Sequence, residues 1–279
     1  MLIKNFTYRI LAIIGVFCFG LSIMGVLMSF YNAEYLKVTQ TLQMILVFAL
    51  PALFCAAIFS EKPIVFLDLQ KTSAKNYFFT AMFAFSALPA INFFAWLNSQ
   101  MKLPKFLAGL ENLMRTTENE LMRLTEQMLA VDTLGGLAIN LIVIALLAAL
   151  CEELFFRGLL QKTLSERINK HAAIWVTAFI FSAIHFQFYG FLPRMLLGAA
   201  FGYMVVWSGS LWLPILAHFI NNAVGVIAFF IAKKQNLTFD IENIGAEQSW
   251  YLGLLFVPIC IYFLIKIIPQ SPTSDHLQK

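Results

Sequence analysis

The sequence predicts an all-α fold: a polytopic membrane helix bundle with about eight transmembrane helices and an amphipathic helix between the third and the fourth. Two observations carry this. Of 279 residues, 60% are hydrophobic and 12% charged, with a mean hydropathy of +0.78, against about 45–50% apolar and about 25% charged in water-soluble domains. Apolar runs long enough to cross a bilayer, about 18 residues or more, also recur along the whole chain. This composition excludes an ordinary soluble domain, a disordered chain and a nucleic-acid binder. The net charge of +4 is read through its distribution around the spans, not as a basic patch.

The runs fall near 8–30, 39–60, 77–97, 134–156, 173–190, 193–209, 211–232 and 250–268. Lys4 and Arg9 precede the first run as in a signal peptide. That run is roughly twice the usual signal length and ends in Ser29-Phe30-Tyr31 without a small-x-small cleavage site, so a retained anchor is expected. Tight connections at Pro193 and Ser208-Gly209-Ser210 make the fifth to seventh spans antiparallel neighbours. Cys18, Cys55, Cys151 and Cys260 all lie within apolar stretches, where a thiol acts as a small hydrophobe.

Lys and Arg of the short loops, including Lys62, Lys71, Lys75, Arg157, Lys162 and Arg167, favour both termini in the cytoplasm; the membrane itself is expected to be a bacterial inner membrane. The long loop, 98–133, then lies outside. Within it Leu110, Leu113, Met114, Leu121, Leu124 and Met128 recur at helical spacing, with Glu111, Arg115, Glu118, Glu120, Arg123 and Glu126 on the other face and Pro104 as a start signal. The chain divides into N-terminal spans and amphipathic helix (1–133), a core (134–232), and a last span with its tail (233–279). The tail from Ser271 to Lys279 is expected to be a short disordered end.

Ionisable groups inside spans cost a few kcal/mol on insertion scales (roughly 2.5–3.5), so they face a cavity and pair with one another. Three clusters stand out, all between 152 and 222. Glu152-Glu153-Leu154-Phe155-Phe156-Arg157 places Glu153 and Arg157 at i and i+4, the favoured order for a carboxylate and a cation, with Glu152 about 100° away round the helix. Phe181-Ser182-Ala183-Ile184-His185 sets one imidazole in an apolar helix. His218-Phe219-Ile220-Asn221-Asn222 sets His218 and Asn222 on one face. Each alone also suits a helix-end charge pair or interhelical hydrogen bonding. Together they supply a carboxylate, two imidazoles and a carboxamide on successive spans. That set suits hydrolysis by activated water: a carboxylate in an apolar cavity is a better general base, a histidine shares the water or protonates the leaving amine, and further donors steady the oxyanion.

Glu152-Glu153-x-x-x-Arg157, Phe181-x-x-x-His185 and His218-x-x-x-Asn222 resemble, in order and placement, the three motifs of the CAAX protease and bacteriocin-processing family. This is the Abi or type II CAAX prenyl endopeptidase family of intramembrane glutamic proteases. Ser208-Gly209-Ser210-Leu211-Trp212-Leu213-Pro214-Ile215 leading into His218 is similar too, and the likeness covers roughly 134–232. The resemblance implies an eight-helix fold with a cavity opening to the cytoplasm. It also implies that Glu152 and His185 activate water, that His218 and Asn222 stabilise the oxyanion, and that Glu153 and Arg157 order the site. No metal or other cofactor is implied. The expected partners are the lipid bilayer and a peptide or membrane-protein substrate, lipidated or not. Alternative readings are a zinc-dependent hydrolase using Glu152, His185 and His218, a non-catalytic immunity or regulatory partner that binds through the same cavity, and a transporter, against which the sequence shows no inverted repeat and confines its intramembrane polar residues to one half.

Two details bear on geometry. Gly198-Ala199-Ala200-Phe201-Gly202 allows close helix approach. If the spans are straight, His185 lies about 18 Å deep and His218 about 10 Å, so the two would not meet at one level.

Overall fold

The computed structural model describes residues 2–29, 35–236 and 246–267, with the backbone alone at 246–250 and 252; the expected disordered tail lies outside these residues. The described residues are helical and contain no strand. In chain order the helices are α1 (Phe6–Met28), α2 (Leu36–Phe59), α3 (Ala74–Ser99), α4 (Ala108–Leu129), α5 (Leu134–Leu164), α6 (Lys170–Ala183), α7 (Phe191–Ser208), α8 (Trp212–Lys234) and α9 (Ala246–Ile265). Side-chain caps fix several starts. Asn5 accepts from the amides of Thr7 and Tyr8, Thr133 from Gly136, and Asn169 from Ala172, satisfying donors that the first turn leaves open. Pro104 leads into a short 3-10 turn that runs into α4. Gly209 closes α7 at φ +67°, a left-handed cap.

Among the described residues six helices, α1, α2, α3, α5, α7 and α8, are long and apolar enough to cross a bilayer, so the expected count of eight is not confirmed. α6 has 14 residues, about 21 Å of rise, short of the ~30 Å hydrocarbon core. The expected fifth span, 173–190, ends as a helix at Ala183 because Ile184–Gly190 turns away, with Phe186 at φ +54°. In α9 the apolar stretch is Gly253–Ile265.

The outward faces explain the composition: Phe19 and Val26 of α1, Phe54 of α2, Phe78 of α3 and Leu255 and Ile265 of α9 are exposed apolar side chains, suited to lipid. Inside are two main packing centres. One joins α1, α2 and α5 through an aromatic cluster of Phe17, Phe48, Phe155 and Phe156, in which Phe17 stacks on Phe155 and Phe48 meets Phe155 edge-on. The other joins α3, α7, α8 and α9 around Phe83, Ala87, Phe201, Met204, Leu213 and Cys260.

α9 lies so close to α3 that a Cβ on Gly253 would come 2.8 Å from Phe93 Cβ and strike the Pro89 carbonyl. Gly253→Ala is therefore expected to cost about 1–3 kcal/mol, read as a lower Tm in detergent. Gly25→Ala, with open space around it, should leave Tm unchanged or slightly raised.

Candidate active site

α5 brings the first cluster to the middle of the bundle, and widened π-type turns at Leu141–Leu147 and Leu154–Gln161 flank Glu152 and Glu153. Such turns accompany functional sites. Glu153 and Arg157 are fully enclosed and joined at 2.8 Å. Arg157 Nη2 also donates to the Gly198 carbonyl at 2.9 Å, and its guanidinium lies 4.5 Å over the Phe181 ring. Gly198 is needed there: a Cβ would sit 3.1 Å from Arg157 Nη2 and 3.2 Å from Phe181. The small-residue run of α7 thus meets α5 and α6, and Gly202 accepts from Gln161 Nε2.

Glu153 Oε1 takes a second donor, His218 Nδ1 at 2.9 Å. A carboxylate only accepts, so Nδ1 carries a proton and points His218 Nε2 toward Glu152, whose Oε2 is 3.9 Å away. That gap is too long for a direct hydrogen bond. The His218 ring is stacked on Phe201. His185, one residue beyond the C-cap of α6, places Nδ1 2.7 Å from the Phe181 carbonyl. There too the proton sits on Nδ1, which leaves Nε2 of the neutral ring as an acceptor. Asn222 lies near Asn221 Nδ2 (3.3 Å) and the Ile144 carbonyl (3.4 Å) of the first widened turn.

Glu152, His185, His218 and Asn222 all line one cavity of about 580 Å³, with Phe181 and Phe201. Glu153 and Arg157 do not line it; they stand behind His218. The mismatch in depth disappears because His185 is carried by the 184–190 loop and not by a straight helix. Among the described residues no three His, Cys, Asp or Glu side chains gather as a metal-holding group.

Further lining residues carry no motif and escape a reading by spacing: Gln187, Tyr189 and Arg194 beside the His185 loop, and Arg115, Glu118 and Asn119 of α4. α4 is the amphipathic helix expected in 98–133, but its faces differ from the expectation. Glu118 is 3% exposed, whereas Leu110 and Leu113 are 48% and 63% exposed. The inward acid meets amide donors: Tyr189 N–H lies 3.2 Å from each Glu118 oxygen. Burial holds the Glu118 carboxyl above its ordinary range, opposed by the Tyr189 amide and by Arg194. One turn earlier Arg115 pairs with Glu111 at 2.9 Å and stacks 4.2 Å over the Tyr189 ring. The bond to Arg115 is the main influence that lowers the Glu111 carboxyl.

The exposed edge of the cavity, Arg115 and Asn119, therefore belongs to the 98–133 segment. Cytoplasmic termini put that segment outside, whereas the motif resemblance implies a cavity opening to the cytoplasm. At the edge formed by Arg115 and Asn119 the two expectations point to opposite sides.

Residues 134–224, which contain all three motifs, match the family model for type II CAAX prenyl endopeptidases, Rce1-like. That segment is Rce1-like. YpbD of Bacillus subtilis (strain 168), an uncharacterized protein, is 35% identical over 89 residues, 30% of this chain and 43% of its own length. YdiL of the same strain, described as a candidate membrane peptidase, is 26% identical over 126 residues, 45% of this chain and 50% of its own length. The aligned stretches thus span half or less of these relatives. No solved structure matches. With six long apolar helices among the described residues, the chain is an integral membrane protein.

Proposed function

We propose that the protein is an intramembrane endopeptidase of the glutamic type, hydrolysing a peptide bond with water. The observation that carries this is the convergence of Glu152, His185, His218 and Asn222 on one cavity inside the Rce1-like segment. In this reading a water lies between Glu152 and the acceptor Nε2 of His185. Glu152 takes one of its protons as the oxygen adds to the scissile carbonyl. The tetrahedral oxyanion is met by Asn222 Nδ2–H and by His218 Nε2–H, the latter when the ring between Glu152 and Glu153 holds its second proton. The proton gained by Glu152 then passes to the leaving amine, the C–N bond breaks, and the acid and amine products carry the elements of water. Glu153, held by Arg157, fixes the His218 ring. No covalent enzyme intermediate and no metal enters this scheme. The substrate is a peptide or a membrane protein, reached within the bilayer.

The test is comparative proteomics of membrane peptides between wild-type cells and cells carrying Glu152→Ala. Fragments present in the first and replaced by their precursors in the second are expected; identical peptide sets overturn the reading. Cleavage of a recovered site by purified protein should survive exhaustive chelation. Stoichiometric zinc whose removal stops cleavage would transfer Glu152, His185 and His218 to a metal-dependent mechanism.

A further inference from the structure

One buried acid in the cavity has no part in that scheme. Glu118 lies on a helix too polar to span the membrane, yet it is 3% exposed, where a surface helix would keep a carboxylate in water. What it grips is the stretch bearing His185. Between Ala183 and Phe191 the chain follows no regular helix, with Phe186 at φ +54°; turn bonds to α6 hold its start as far as Phe186, and contacts from other elements hold the rest. Glu118 of α4 accepts from the Tyr189 amide. Asn98 of α3 donates to the Phe188 carbonyl at 2.7 Å and accepts from the Leu192 amide at 2.8 Å. Arg194 Nη2 donates to Gln187 Oε1 at 2.6 Å. His185 stands where α6 gives way to this loop: its ring is anchored one turn back on the Phe181 carbonyl and its amide on the Ser182 carbonyl, so its backbone on the far side continues directly into the segment that Glu118 holds.

We propose that Glu118 is a positioning residue for the hydrolytic reaction: from α4 it locks the 184–190 loop and so sets where His185 Nε2 stands relative to Glu152. This role rests on the endopeptidase reading. It makes α4 a working part of the site, not a spacer packed on the bundle. A misplacement of about 1 Å in such a group can cost on the order of a hundredfold in rate.

The experiment uses the full chain in phosphatidylethanolamine–phosphatidylglycerol vesicles, comparing wild type, Glu118→Ala, Glu118→Gln and Glu152→Ala. Two readouts need no substrate: deuterium uptake by segment, and carbethoxylation of His185 by diethyl pyrocarbonate, followed by mass spectrometry. The third is kcat and KM on a synthetic peptide spanning a site recovered from the peptide comparison. Glu118→Ala is expected to exchange faster at 184–190, with α5 and α8 unchanged, and to label His185 faster. Its kcat should fall by about tenfold or more at unchanged KM. Glu118→Gln keeps a carbonyl acceptor for the Tyr189 amide and should recover most of the kcat.

Unaltered labelling, an unchanged kcat, or loosening spread over α5 and α8 overturns the positioning role. So does a loss confined to KM, or the absence of rescue by glutamine. If one of these occurs while Glu152→Ala is inactive, only this role fails. Full cleavage by Glu152→Ala overturns the endopeptidase reading itself, and the positioning role with it.

Discussion

Arg157→Ala is expected to destabilise the protein by about 3–5 kcal/mol, the cost of leaving a buried charge without its partner. Glu153 and Arg157 are both sealed from solvent and bonded at 2.8 Å, so alanine strands the Glu153 carboxylate with only His218 for company. It also removes the donor to Gly198 and the cation over Phe181, loosening α5 from α6 and α7 together. Thermal unfolding in detergent should show a drop in Tm, and expression should fall alongside activity. Arg157→Lys should rescue little, because an ammonium cannot reach both Glu153 and Gly198 in the planar geometry that guanidinium supplies. A variant that folds with wild-type Tm would show that the ion pair does not hold the three helices.

Glu152→Gln should separate chemistry from folding. The carboxamide has nearly the same shape, and no hydrogen bond within 3.5 Å is lost between Glu152 and His218, which stand 3.9 Å apart. Tm should therefore stay at the wild-type value or rise, since a buried charge is removed. Cleavage of a recovered peptide should fall by about 10²–10⁴-fold, the usual contribution of a general base, with KM little changed. Full activity in this variant rejects Glu152 as the base. Paired with Arg157→Ala, the two results form opposite profiles, stable but inactive against unstable and inactive.

How much of this was legible in the sequence follows from how each part is held. The scarcity of charge locates Glu152, His185, His218 and Asn222, because a polar group inside an apolar run must have a cavity to face, and the structure gives these four a common one. The i,i+4 pairing of Glu153 with Arg157 is equally readable, since it is local. The end of α6 is not, because Ile184-His185-Phe186 is as apolar as the helix before it, and the break depends on tertiary bonds from Asn98, Ser182 and Glu118. The inward turn of Glu118 is hidden for the same reason: periodicity assigns every carboxylate of α4 to water, and only the amide of Tyr189, 71 residues away, gives one of them a reason to be inside. The second donor to Glu153, His218 Nδ1, is likewise a contact between distant segments.

Because the cavity's exposed edge is built from α4, under the proposed endopeptidase reading the compartment that bathes α4 would deliver the hydrolytic water and drain the polar product. The sidedness of the reaction is thus tied to a single loop, and labelling that loop from one face of the membrane would reveal whether the cell directs this chemistry at its own interior or at its surroundings.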